Sequence, residues 1–370
     1  YVRDADAVLN SVTVDSTGDP DYNNGGPKPY TLTVGEDKIE LSSKNLGPAD
    51  VALVATWLQR PEVGAAVARL ILNENPLTGG RRDFAFDTDI TGITAFCDTL
   101  KTSSVTELGL ANCQLGPGSL GKLAEYVREA TAALTSINCL ANRFKEDDLA
   151  TLLTAIEGTS VRSLCGLTEG QTTTDFSGQN LRPIDMKIMA AEFGFQGFIA
   201  MLNSLTLDLN GIFGTLGREG KPDKFAGDCD AFLASLKESN ILTLSLQNTG
   251  IGPLTLQKLA TSLPAVVTSI NCLNNPLGEG VHTIIKAFEE TPRLRTLCGL
   301  EEGIEKIDWS DSGKGPVEVA LLAADLKAGR AAAAVARLSL SRNFITGSRD
   351  ESVFRPDWKY DLDLSGLTSL

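Results

Sequence analysis

The sequence predicts an α/β solenoid: about twelve short parallel strands along one face, with helices returning the chain along the other. Three observations predict it. A short apolar motif with a late asparagine recurs along the chain. A larger period carries that motif with it: Leu134, Ile137, Cys139, Asn142 and Phe144 return, at one constant offset, as Val267, Ile270, Cys272, Asn275 and Leu277. Between motifs, apolar residues fall at helical spacing. Self-similarity at a fixed period is the signature of stacked repeats, because one unit cannot bury its own apolar face.

Along the chain, the first elements are strand-like. Ser11–Val14 and Tyr30–Val34 alternate, and the Gly, Pro, Asn and Asp between them read as the connection of a hairpin over the first sheet edge. The motif then fits LxxLxLxxNxL, where residues four and six point to one face of a short strand and residue eleven turns inward again. Matches include Val67-Leu70-Leu72-Asn75-Leu77, Leu202-Leu205-Leu207-Asn210-Ile212 and Val335-Leu338-Leu340-Asn343-Ile345. Weaker units carry Ile39/Leu41, Leu164/Gly166, Thr174/Phe176, Leu297/Gly299 and Ile307/Trp309. At about 4.8 Å per strand, twelve strands would run roughly 50–60 Å.

The spacing of position six repeats its own irregularities. It falls at residues 41, 72, 110, 139 and 166, then 176, 207, 246, 272 and 299, then 309 and 340. The two steps of 10 leave no room for a helix and predict a direct loop at Thr168–Thr173 and Glu301–Lys306. The steps of 38 and 39 hold inserts beyond an ordinary unit. Elsewhere the return helices are plain: Leu120, Leu123, Ala124 and Val127 share one face, as do Leu149, Leu152, Leu153 and Ile156, and Val281, Ile284, Ile285 and Phe288. Pro48, Pro183 and Pro316 stand where a helix begins.

These motifs resemble the leucine-rich repeat, and their longer spacings resemble its ribonuclease-inhibitor-like class. The resemblance covers residues 30 to 370 and implies a horseshoe with a concave parallel sheet and convex helices. The expected organisation is an N-terminal irregular or hairpin segment (1–29), a five-strand module (30–164), a second (165–297) and a truncated third (298–370), in one continuous solenoid. Asp363–Leu370 parallels Asp89–Phe96 without a polar cap following, so the chain reads as a fragment.

Composition narrows the function. At 370 residues and 42% hydrophobic content the chain can build a continuous core, and no apolar run is long enough to span a bilayer. The net charge of −14 disfavours nucleic acid and anionic membranes, which need clustered Lys and Arg. Seven cysteines lack any C-x2-C pair and form an odd set, so they read as free, mostly buried thiols in a reducing, intracellular compartment. Cys165 and Cys298, at position five, are expected to face the concave side. A single histidine, His282, lies on a predicted helix and cannot assemble a triad or a multi-histidine metal site. Asp15, Asp19 and Asp21 lack calcium-loop spacing and read as a solvated turn. No cofactor, metal site or catalytic residue is expected.

Two surfaces remain as candidates for partner binding. The concave position-five column presents Glu40, Asn138, Asp175, Thr206, Ser245, Asn271 and Asp308. The inserts form a ridge with basic residues beside aromatics: Arg81, Arg82 and Phe84, then Arg218, Lys221 and Phe225, then Arg349, Phe354, Arg355 and Trp358. Insert loops of solenoids map to one face, and Arg and aromatic residues are enriched in interfaces. The opposing reading has the loop aromatics folding back to cap the units beneath them. The leading expectation is a non-enzymatic scaffold that binds other proteins. One alternative is a structural subunit held permanently in a larger assembly. Another is a regulator of a small GTPase, by analogy of the resemblance to the Ran GTPase-activating protein.

Overall fold

The computed structural model describes residues 9–19, 26–79, 86–129, 134–217, 219–346, 368 and 370. The chain falls into two compact units. The first holds Tyr1–Gln171 and Lys187–Ala200, the second Thr172–Met186 and Met201–Leu370. The first boundary lies within the first of the two short steps.

In the first unit, β1 (Ser11–Asp15) and β2 (Pro29–Thr33) pair antiparallel as the expected hairpin. It is a sheet of its own. It is tied to the repeats at Asp50 and Asn45, among others: the Tyr30 hydroxyl donates to Asp50 Oδ1 at 2.9 Å, the Thr17 N–H to Oδ2 at 2.7 Å, and the Gly18 N–H to the Asn45 carbonyl at 2.9 Å. Then come β3 (Lys38–Glu40), β4 (Arg69–Ile71), β5 (Glu107–Gly109) and β6 (Ser136–Asn138), parallel and in register, with Ile39, Leu70, Leu108 and Ile137 buried in one row. The helices between them are α1 (Pro48–Leu58), α2 (Pro61–Gly64), α3 (Thr91–Leu100), α4 (Pro117–Glu129) and α5 (Glu146–Ile156). Their apolar stripes face inward as the spacing predicts: Leu120, Leu123, Ala124 and Val127 are all buried.

The second unit repeats this order. Strands β7 (Thr173–Asp175), β8 (Ser204–Thr206), β9 (Thr243–Ser245) and β10 (Ser269–Asn271) form a second four-stranded parallel sheet. The helices are α6 (Pro183–Gly194, divided between the units), α7 (Asp230–Lys237), α8 (Pro253–Thr261) and α9 (Val281–Glu290). Strand β11 (Lys306–Asp308), α10 (Pro316–Ala328) and β12 (Arg337–Ser339) close the described chain as a two-stranded pair.

The sheet of about twelve strands is therefore not found: the parallel strands divide four, four and two. The breaks fall at the two short steps. There the expected strands at Leu164/Gly166 and Leu297/Gly299 shrink to isolated bridges, Ser136 with Ser163 and Asn138 with Cys165, then Ser269 with Thr296 and Asn271 with Cys298. Gly166 and Gly299 carry φ of 75° and 66°, a left-handed conformation that takes the backbone out of strand geometry. The same bend buries Cys165 and Cys298, at 1% and 5% exposure, so neither faces the concave side.

Every full unit leaves its strand through the same turn. Position eight is left-handed in all ten: Ser43, Glu74, Asn112, Ala141, Gly178, Leu209, Asn248, Asn274, Asp311 and Arg342. Asparagine stands at position nine only in every second unit, as Asn75, Asn142, Asn210, Asn275 and Asn343. Each serves two turns. Asn142 Nδ2 donates to its own Cys139 carbonyl at 3.0 Å and to the Leu110 carbonyl of the preceding unit at 2.7 Å, while its Oδ1 accepts the Cys113 and Leu115 N–H groups at 3.0 Å each. Asn275 does the same with Cys272, Leu246, Thr249 and Ile251. The unit thus clamped carries Lys44, Cys113, Gln179, Thr249 or Ser312 at position nine, and a second left-handed residue follows at position ten: Asn45, Gln114, Asn180, Gly250 or Gly313. The clamps satisfy buried backbone groups that strand pairing cannot reach.

Candidate functional site

The position-five residues line up within each sheet. Glu40, Ile71, Gly109 and Asn138 are successive register partners, as are Asp175, Thr206, Ser245 and Asn271, and Asp308 with Ser339. Their side chains are half-buried or exposed, apart from Gly109. The acceptors among them also close their own turns. Asp175 Oδ1 takes the Ser177 N–H at 2.8 Å, Asp308 Oδ1 that of Ser310 at 3.1 Å, Asn138 that of Leu140 and Asn271 that of Leu273, both at 3.2 Å. Glu40 accepts from the Ser42 N–H and hydroxyl. Burial works to raise the Glu40 carboxyl, but the Ser42 bonds and Lys38, 3.0 Å away, outweigh it and hold it below the usual range. Lys306, 2.9 Å from Asp308, together with Ser310 holds that carboxyl far below its usual range. Only Thr206 and Ser245 of the column carry hydroxyls on central strands, and the Ser245 hydroxyl donates to Asp208 at 2.9 Å.

Of the insert ridge, Lys221 and Phe225 lie among the described residues; Arg81, Arg82, Phe84, Arg218, Arg349, Phe354, Arg355 and Trp358 lie outside them. Lys221 is exposed, and Phe225 is half-buried with the Lys224 ammonium 5.0 Å from its ring centre. The described parts of the first two inserts share a role the sequence did not disclose. Asp223 Oδ1 and Oδ2 accept the Gly252, Leu254 and Thr255 N–H groups at 2.9, 2.8 and 3.0 Å, capping α8. Asp87 does the same for α4 through the Gly116, Gly118 and Ser119 N–H groups at 3.0, 2.7 and 3.1 Å. Each insert therefore reaches forward to start the next unit's helix. Burial works to raise the Asp223 carboxyl, but the hydrogen bonds from Thr255, Leu254 and Gly252 prevail and lower it. Gly250, at φ 79°, packs against the second insert so closely that a Cβ there would stand 2.6 Å from the Gly214 nitrogen.

Two buried carboxylates mark the short steps. Glu192 Oε2 accepts the Leu164 and Cys165 N–H groups at 2.8 and 3.1 Å and the Ser163 hydroxyl at 3.1 Å, while Oε1 accepts the Ile199 N–H at 3.0 Å. Asp325 takes the Leu297 and Cys298 N–H groups at 2.8 and 3.1 Å and the Thr296 hydroxyl at 2.6 Å. Burial pushes both carboxyls up. They hold the tenth residue of α6 and α10; α1 has Trp57 there, with its indole N–H unpartnered. All seven cysteines are free and buried, and burial pushes the Cys97, Cys113 and Cys272 thiols up to about 12. Such thiols are weak nucleophiles. His282 is exposed on α9 beside Glu279. Among the described residues no group of three or more His, Cys, Asp or Glu is placed to hold a metal ion, and no helix is long and apolar enough to cross a membrane.

One groove lies where the second insert meets the turn edge. It measures about 430 Å³ and is lined by Leu216, Asn248, Asn274, Gly313 and Glu318 among others. Beneath Asn274 sits Lys314, 6% exposed, whose ammonium donates to Asn274 Oδ1 at 2.5 Å and lies 5.5 Å from the Trp309 ring centre.

No protein-family model matches the chain, and no curated protein matches it. Among solved structures, an internalin (InlF) from Listeria monocytogenes is similar at 12% identity and a TM-score of 0.32, over 86% of this chain and 86% of that one. A TLR13–ssRNA13 complex is similar at 14% identity and a TM-score of 0.25, over 77% of this chain and 47% of that one.

Proposed function

We propose that this chain is a non-enzymatic leucine-rich-repeat scaffold that binds other proteins through rows of polar side chains on its short parallel strands and through its insert ridge. The observation that carries this is the pairing of rigid backbone with graded exposure. Thr206, Ser245 and Asn271 stand on consecutive, registered strands, half-exposed, while the leucines beside them are fully buried. Sites held by regular elements need little ordering on binding. The capping of helices by Asp87 and Asp223 fixes the bases of two inserts, which supports the ridge as a presented feature. Long steps between motifs, each carrying a full helix, favour the ribonuclease-inhibitor-like class.

Affinity capture with the intact chain tests the reading. Thr206→Arg with Ser245→Arg places two long cations in the row without touching a buried leucine, and Lys221→Glu reverses a ridge charge. At least one of these variants is expected to lose a captured protein while melting as the parent does. Identical capture by parent and all variants would sink the reading.

A further inference from the structure

The ten full units supply an internal control at position eleven, the residue that turns back into the core after the strand. It is Leu46, Leu77, Leu115, Phe144, Leu181, Ile212, Ile251, Leu277 and Ile345 in nine of them. In the tenth it is Lys314, which is nevertheless buried. The repeat does not need a cation there, and burying one is costly. Burial in fact depresses the Lys314 amine below its usual value, against the opposing pull of Glu318. The residue it contacts has changed with it: Asn274 stands where the corresponding turn, one large period earlier, has Ala141.

The surroundings of this lysine suit a polypeptide. An ammonium has three donors. Asn274 Oδ1 takes one, and the Trp309 ring stabilises the charge without accepting a conventional hydrogen bond. Asn274 lines the 430 Å³ groove, as do Gly313, immediately before Lys314, and the side chain of Asn248, which makes no hydrogen bond among the described residues. Gly217, Gly250 and Gly313 add bare backbone to the walls, all at positive φ. Leu216 contributes an apolar wall and is 36% exposed.

We propose that this groove seats an extended acidic segment of a partner protein, one of whose carboxylates takes the Lys314 ammonium from Asn274. The Asn248 amide and the glycine walls meet the segment's main chain, and Leu216 its apolar side chains. This deepens the scaffold reading and rests on it.

Fluorescence anisotropy of a blocked, labelled hexaglutamate peptide on the full chain tests the site, with hexaserine and inorganic phosphate as controls. The chain's net charge of −14 works against non-specific attraction of this probe, so binding reports a local match. Lys314→Leu restores the residue type of the other units and is expected to keep the fold while weakening the peptide by at least about tenfold. Asn274→Ala removes the internal acceptor and is expected to tighten it. Equal binding by the parent and Lys314→Leu overturns the proposal, as does equal binding of hexaserine, or phosphate displacing the peptide at matched concentration. No peptide binding, with both variants melting lower, assigns the pair to a purely structural contact and overturns it as well. Partner capture that survives Lys314→Leu removes the groove alone, whereas the absence of any captured protein removes the scaffold reading.

Discussion

At the residue scale, the position-nine asparagines are the least replaceable polar groups. Asn142 is fully buried and satisfies five backbone groups from two turns. Asn142→Ala leaves them without partners and should cost about 3 kcal/mol in urea unfolding. Gln179 holds the same motif position but is half-exposed, with one long bond to the Asp175 carbonyl at 3.3 Å. Gln179→Ala should therefore change stability by less than about 0.5 kcal/mol. Equal losses would mean that motif position, not hydrogen-bond supply, sets the cost. The clamp was half legible. The asparagine and its purpose could be read from the motif. Its alternation could not be interpreted, because only coordinates show one amide reaching two turns.

At the element scale, the short steps and the first two inserts each depend on one carboxylate. Glu192→Ala strips acceptors from three buried N–H groups and should cost about 3 kcal/mol. No charged side chain stands among the groups bonded to Glu192, and burial raises its pKa, so between the ordinary value and the raised one the folded chain binds more protons than the unfolded chain. The stability from this shift is complete below the ordinary carboxyl value of about 4.3 and is lost as pH rises through the raised one. Glu192→Gln should flatten that part of the urea midpoint against pH; an unchanged profile would exclude Glu192 as its source. Asp223 has the opposite sign. Its lowered pKa gives stability present above the ordinary aspartate value and lost as pH falls through the lowered one. Asp223→Ala should cost about 1 kcal/mol as a lost helix cap, read by the same unfolding measurement. The recurrence of Asp87 as Asp223, one large period on, was visible in the sequence, but nothing local marks either as the cap of the next unit's helix.

At the scale of the whole molecule, the chain folds as two compact units whose division begins at the first short step. Asn142→Ala and Asn275→Ala lie one in each, at equivalent clamps. Calorimetry should resolve two unfolding transitions, the first variant lowering one and the second the other. A single transition lowered equally by both would show one cooperative body. The pattern of residues alone was enough to specify the repeat, the parallel strands, the inward faces of the helices and the helix-free steps. Each follows from periodicity, which local backbone geometry turns directly into a buried face. It took the folded chain to show that the strands divide four, four and two and that Lys314 lies buried beside a groove. Those outcomes depend on left-handed glycines and on side chains reaching from one repeat to the next. Such contacts join residues a whole unit apart in the chain, where no periodic pattern records them.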